Sequence, residues 1–232
     1  MNICRLHQQG NQDALLFLAG WGMCPEPFQD IPAGSLDVFM ISDYRSMEGE
    51  ELASFLKDLQ EKTPYKKFHL LAWSMGVWVA AMLATQKTFS ALPLASAIAI
   101  GGTCHPIDNR RGIPEQNFAD MAKHLTPAGV QEFQRSMFAD TEEADRFTTS
   151  FRKGDRPFKE IHQELRALAK ASAHQAGIPD IYTSRIVTGR DRIFPARNQV
   201  RAWGRHTCRT LSLPHFPFYH WSSWSAMVEA FT

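Results

Sequence analysis

One serine set between two apolar runs restricts this chain more than any other feature. Residues 68–80 read Phe68-His69-Leu70-Leu71-Ala72-Trp73-Ser74-Met75-Gly76-Val77-Trp78-Val79-Ala80. The first run is short, follows Lys66 and Lys67, and has the character of a buried parallel strand. The second is long and rich in Ala, Leu and Met, which favours a helix. Only a sharp turn fits between them, with Ser74 at its apex. A strand-to-helix turn of this kind lifts the hydroxyl above the sheet and places the next residue's N–H at the start of the helix. Ala72 stands where the usual pattern has its first glycine, and it is small enough for close strand–helix approach. The same stretch also reads as an ordinary strand-to-helix turn that carries a serine, so Ser74 needs partners elsewhere in the chain.

The 232 residues suffice for one sizeable core with room for an inserted subdomain. With 44% hydrophobic and 21% charged residues and a formal net charge of +1, the composition is that of a globular protein and gives no global case for nucleic acid or a membrane surface. Residues 1–10 contain Arg5 and His7 and lack an apolar segment, so no signal peptide is expected. The longest apolar stretch, residues 91–100, is too short to cross a bilayer. Cys4, Cys24, Cys104 and Cys208 form no Cys-x-x-Cys pair, which argues against a zinc site and a disulfide framework. A cytoplasmic monomer is the expectation.

Strand signals occur at residues 2–8 and 13–19, where two runs joined by a Gly10-Asn11 turn predict an antiparallel hairpin. Further strands are expected at 36–42, 94–100, 185–188 and 207–213. Helical spacing of Leu52, Phe55, Leu56 and Leu59 predicts a helix over 49–62, and a terminal helix is expected over 216–231. Between Gly102 and Pro179 the strand signals vanish. Pro114, Pro127 and Pro157 punctuate helical segments there. The pattern predicts an α/β fold with a mostly parallel central sheet flanked by helices. Its core comprises 1–104 and 176–232, and a helical cap is inserted at 105–175.

A serine hydroxyl is a weak nucleophile and needs an adjacent base, which in turn needs an orienting acid. In a parallel sheet such groups gather at the carboxyl ends of strands. Asp191 follows the 185–188 strand, and His215 follows the last strand in Leu213-Pro214-His215. Their order, Ser74, Asp191, His215, matches that of serine hydrolases with this sheet-and-elbow layout. Asp43 and Asp180 are the fallback acids, and His220 is the rival base. Gly20-Trp21-Gly22 follows the second strand, where glycines allow close approach of backbone to substrate. Backbone N–H groups of Trp21 and Met75 are therefore the expected oxyanion donors. No phosphate-binding glycine loop and no metal-ligand histidine spacing occurs, so no metal and no nucleotide cofactor is expected.

Several runs together resemble one family. They are Leu18-Ala19-Gly20-Trp21-Gly22, Ala72-Trp73-Ser74-Met75-Gly76-Val77-Trp78, Arg156-Pro157-Phe158-Lys159-Glu160-Ile161-His162-Gln163-Glu164-Leu165, and residues 215–221. The chain is similar over nearly its whole length to the BioG family, pimeloyl-[acyl-carrier-protein] methyl ester esterases of biotin synthesis. The resemblance implies an α/β-hydrolase fold. It implies hydrolysis of pimeloyl-[acyl-carrier-protein] methyl ester to methanol and the free acid, with acyl carrier protein as part of the substrate. An acidic carrier would dock on basic residues, for which the cap supplies Arg146, Arg152 and Arg156; each also reads as a solvated surface charge. The cap's Phe118, Phe138 and Phe147 are candidates for an acyl channel, or for plain core. The three catalytic residues alone leave other small-acyl chemistry open, namely a thioesterase or carbon–carbon bond hydrolase. A catalytically silent scaffold is the alternative outside enzymes.

Overall fold

The apolar runs become the middle of a sheet. A computed structural model describes residues 1–154, 156–174 and 178–232. Among these residues, seven strands form one sheet: β1 (Asn2–His7), β2 (Asp13–Leu18), β3 (Leu36–Ser42), β4 (Lys67–Trp73), β5 (Leu94–Ile100), β6 (Ser184–Thr188) and β7 (Arg209–Leu211). Their spatial order is β1-β3-β2-β4-β5-β6-β7, and every pairing is parallel except β1 with β3. In β2 and β4 the apolar residues are buried on both faces, as central parallel strands require.

The expected hairpin of the first two strands does not form. β3 lies between them, pairing antiparallel with β1 and parallel with β2. The burial pattern explains this outcome. β1 is half-exposed along its length, which suits an edge, whereas Ala14–Leu18 are buried and belong inside the sheet. The turn that suggested a hairpin is instead held on the buried Asp37 of β3. Its carboxylate accepts hydrogen bonds from the backbone N–H groups of Gln9 (2.9 Å), Gly10 (3.3 Å) and Asn11 (3.2 Å). The Asn11 side-chain amide (3.0 Å) and the Tyr65 hydroxyl (2.8 Å) donate to it as well.

The helices are α1 (Glu26–Gln29), α2 (Glu50–Lys62), α3 (Met75–Thr85), α4 (Glu115–His124), α5 (Pro127–Ser136), α6 (Thr141–Lys153), α7 (Phe158–His174), α8 (Ala196–Trp203) and α9 (Trp224–Glu229). α4 to α7 lie between β5 and β6, within the expected insertion, whose downstream edge at 175/176 falls outside the described residues. Caps start two of them. Thr126 accepts from the Gly129 N–H with Pro127 at the first helical position, and Asp140 accepts from the Glu142 and Glu143 N–H groups. No helix among the described residues is long and apolar enough to cross a membrane.

The continuous terminal helix is also replaced. Phe218–His220 form a short 3₁₀ turn after Pro217, Trp221 is extended, and Ser223 caps α9 by accepting from the Ala226 N–H. Phe216 and Phe218 are both buried, two residues apart, which one helix face does not allow. They join Phe17, Phe28, Trp73 and Trp224 in an aromatic cluster, with Phe17 and Phe28 each within 5.4 Å of the Phe218 ring.

The Asp37 contacts carry a pH signature. Burial opposes ionisation, but the Gln9 and Asn11 donors and the Tyr65 hydroxyl outweigh it, so the carboxyl pKa is lowered. The folded state therefore gains stability from this group above its unfolded pKa, about 3.9, and loses it as pH falls through the lowered folded value. Asp37→Asn is expected to lower the urea midpoint at pH 7 by an amount equivalent to ~1–3 kcal/mol. Its difference from the parent protein should shrink between about pH 5 and pH 2.

Candidate active site

Ser74 links β4 to α3 with φ 59° and ψ −129°, a backbone conformation rare for a residue with a side chain. Such strain costs on the order of 1–3 kcal/mol and persists only where the surroundings impose it. Two glycines provide those surroundings. A Cβ on Gly76 would meet the carbonyl oxygens of Leu18 and Ala19 at 2.4 Å, so α3 rests directly on the end of β2. A Cβ on Gly102 would lie 2.2 Å from the Ser74 carbonyl oxygen. The Ser74 N–H donates to Ile100 on the neighbouring strand at 3.1 Å.

The structure brings Ser74, His215 and Asp191 into one hydrogen-bonded line. His215 Nε2 is 3.0 Å from Ser74 Oγ, and His215 Nδ1 is 2.8 Å from Asp191 Oδ2. Facing a buried carboxylate, Nδ1 carries the proton, and Nε2 is left to accept from the serine hydroxyl. The imidazole lies between aromatic rings, tilted against Trp73 at 5.2 Å and parallel to Phe194 at 6.1 Å. The Trp73 indole N–H donates to the His215 carbonyl oxygen at 2.7 Å, which ties the elbow to the histidine loop.

Asp191 has a full set of donors. The Ile193 and Phe194 N–H groups donate to Oδ1, each at 2.8 Å. Besides the imidazole, Thr188 Oγ1 (2.6 Å) and Gln199 Nε2 (3.1 Å) donate to Oδ2. Such charge-assisted bonds hold a buried carboxylate in one orientation. Sequence reasoning missed both side-chain donors. Thr188 closes a strand and carries no marker of a role. Gln199 lies on α8, whose short amphipathic pattern over 196–203 was the signal available.

Met75 opens α3, so its N–H has no partner within the helix. Neither it nor the Trp21 N–H donates to a protein acceptor among the described residues. The rival groups are engaged elsewhere. Asp43 pairs with Arg45 and Arg156, and Asp180 pairs with Arg185 at 2.7 Å. His220 is exposed in the 3₁₀ turn. Among the described residues, no cluster of three His, Cys, Asp or Glu side chains is arranged to hold a metal ion.

Residues of the helical insertion pack beside this site. Ser74 is 4% and His215 1% exposed. Phe133 of α5 meets the Trp21 ring edge-on at 5.0 Å. Phe138 and Phe147 pack on Phe216, next to His215, at 4.9 and 5.1 Å. Phe118 is buried on α4, with no ring contact to these aromatics. Arg146 is exposed with its guanidinium 4.0 Å from the Tyr219 ring centre, and Arg152 is exposed on α6. Arg156, a docking candidate by sequence, instead turns inward. Its side chain is 8% exposed, one nitrogen donates to the Met23 carbonyl oxygen at 3.0 Å, and another lies 2.9 Å from Glu164.

Comparison with known proteins places the chain among esterases. The family model described as "Pimeloyl-ACP methyl esterase BioG" matches residues 1–227. The crystal structure of BioG from Haemophilus influenzae superposes with a TM-score of 0.79 at 28% identity, covering 97% of this chain and 99% of that one. A malonyl-[acyl-carrier protein] O-methyltransferase of Bacteroides fragilis (strain 638R) is 33% identical over 195 residues, 84% of this chain. This chain spans 37% of that relative's length. A carboxylesterase structure from Nitrososphaera gargenis shares the α/β-hydrolase fold, with a TM-score of 0.58 at 14% identity, covering 99% of this chain and 92% of that one.

The close approach at the elbow makes one substitution diagnostic. Gly76→Ala adds a methyl group against two backbone oxygens that belong to the central strand's end and cannot rotate away. It is expected to cost on the order of 3 kcal/mol of stability, read as a lowered urea midpoint. Ala72→Gly, at the small position on the other side of Ser74, should cost no more than about 1 kcal/mol.

Proposed function

Because the chain belongs to the BioG family of pimeloyl-ACP methyl esterases, we propose that it hydrolyses the methyl ester of pimeloyl-[acyl-carrier-protein] methyl ester. Ser74 is the nucleophile, His215 the general base and Asp191 the residue that orients it. The observation that carries the reading is the unbroken hydrogen-bonded line from Ser74 Oγ through His215 to Asp191, buried beneath the cap. In the first step Ser74 Oγ attacks the ester carbonyl carbon and its proton passes to His215 Nε2. Negative charge develops on the carbonyl oxygen, where the N–H groups of Trp21 and Met75 receive it. Collapse expels methoxide, which takes the proton from His215 and leaves as methanol. Water then gives a proton to the same nitrogen and attacks the acyl-enzyme, and as the intermediate collapses His215 returns that proton to the departing Ser74 Oγ, leaving a carboxyl group on the carrier-bound chain.

Asp191 stabilises the imidazolium in both steps without taking its proton. Phe138 and Phe147, packed on Phe216 next to His215, make the surroundings of the site apolar, as an aliphatic acyl chain requires. The carrier portion of the substrate, being acidic, meets Arg146 and Arg152 on the exposed side of α6.

The test is turnover of pimeloyl-carrier methyl ester and growth of an esterase-deficient, biotin-requiring strain. Ser74→Ala should lower kcat by on the order of 10⁴-fold or more and fail to support growth. His215→Ala should match it, whereas His220→Ala should stay within about twofold of the parent protein, in line with an exposed group outside the site. Near-normal turnover by Ser74→Ala, or a reversed order of the two histidines, would overturn the assignment. Charge reversal of Arg146 and Arg152 should raise KM for the carrier-bound ester about tenfold and leave p-nitrophenyl butyrate unaffected. Equal effects on the two substrates would remove the docking role.

A further inference from the structure

Glu164 has no part in the steps above, yet among the described residues of the cap it is the most deeply buried carboxylate, with a side chain 0% exposed. Burying a charge costs several kcal/mol, and a buried ion pair is no better for stability than apolar residues of similar volume. Its position is therefore informative. Oε2 accepts from the Gly22 N–H at 3.0 Å and Oε1 from the Tyr44 N–H at 3.1 Å. One carboxylate thus bridges the ends of two neighbouring strands, β2 and β3.

Two further contacts grip the same loop. One turn earlier on α7, the Ile161 carbonyl oxygen accepts from the Trp21 indole N–H at 2.8 Å. Arg156, just before α7, donates to the Met23 carbonyl oxygen, and its other nitrogen lies 2.9 Å from Glu164 Oε2 and 3.2 Å from Asp43 Oδ1. Three successive residues, Trp21, Gly22 and Met23, are held from α7 and its lead-in. Gly22 has φ 74°, so the chain reverses there and its amide direction needs an external acceptor. The Trp21 backbone N–H is left over, with no protein acceptor among the described residues.

We propose that Glu164 is a positioning residue, which fixes the loop so that the Trp21 N–H points at the developing oxyanion. The inference rests on the reading of Trp21 as an oxyanion donor. It extends that reading by making the cap part of the machinery as well as a cover. An oxyanion donor acts only if its direction is set before the charge develops. A carboxylate that accepts from two backbone amides sets direction where an apolar contact would set only distance, and the nearby Arg156 guanidinium adds charge compensation.

Glu164→Gln tests this with little change of shape. The amide keeps one acceptor oxygen and turns an NH₂ group toward the other backbone N–H, so one of the two grips is lost. Folding is checked by thermal melting, and competent sites are counted by burst titration with a fluorophosphonate. With p-nitrophenyl butyrate as substrate, kcat per competent site is expected to fall about 30-fold, short of the hundredfold or more seen when a whole donor is removed. KM should change less than threefold. A trifluoromethyl ketone that adds to Ser74 should bind more weakly by about the same factor as kcat falls, because its hemiketal oxygen occupies the same hole.

If the variant does not fold, Trp21→Phe decides the matter. It removes the indole donor to Ile161, keeps the ring, and should lower kcat and inhibitor affinity together by about fivefold. A folded Glu164→Gln whose kcat and inhibitor affinity stay within twofold of the parent protein overturns the proposal, as does a loss seen only in melting temperature or KM. Unchanged kcat and inhibitor affinity in Trp21→Phe overturn it likewise. Failure of the underlying reading looks different: Ser74→Ala would retain turnover, or the fluorophosphonate would label no site.

Discussion

The contact on which the site depends is the seating of α3 on the carbonyl oxygens that end β2. With no side chain at Gly76, the helix sits at backbone distance from Leu18 and Ala19. That seating leaves the preceding residue no relaxed backbone conformation, and Ser74 takes a positive φ in consequence. The strain cannot relax locally, because Ser74 is also bonded to Ile100 and crowded by Gly102. Three adjacent strands thus fix the direction of one hydroxyl. The same seating brings the first free N–H of α3 beside the loop that follows β2, so one packing event places the Ser74 hydroxyl and both candidate donors.

The second set of constraints runs through His215. An imidazole can orient itself in many ways, and this one is held at three points: Asp191 on one nitrogen, the Trp73 indole on its backbone oxygen, and flat aromatic surfaces against its ring. Asp191 is held in turn by Thr188, Gln199 and two backbone amides. The Trp73 and Asp191 contacts of His215 join β4, the loop after β6 and the segment after β7, which are far apart in sequence, whereas the other partners of Asp191 lie close to it along the chain. The arrangement therefore exists only when the sheet is complete, which makes its geometry a property of the whole core.

The sequence is legible where one residue type at one spacing carries the signal. Runs of seven residues bounded by turns marked β3 and β5 to the residue, and Ser74, Asp191 and His215 stood out because each follows an expected strand. It fails where the outcome depends on competition between partners. Residues 2–8 and 13–19 look like a hairpin locally, and only Asp37, buried in β3 with five donors, shows why β3 comes between them. Residues 216–231 look helical until Phe216 and Phe218 both demand burial. Gln199 and Glu164 were unreadable for a related reason. A polar residue inside an amphipathic helix announces no partner when that partner is a backbone amide or a carboxylate more than one helical turn away.

Glu164 also bears on why the cap helices have the order they do. An insertion that only excluded water would need an apolar underside, and α5, α6 and the turn between them supply one through Phe133, Phe147 and Phe138. α7 differs in presenting a carboxylate, a carbonyl oxygen and, from its lead-in, a guanidinium to the loop after β2. Burial opposes the charge of Glu164 and raises its pKa, and Arg156 and the two amides offset that rise only in part. A displacement of α7 would strand that charge and release the loop at the same time.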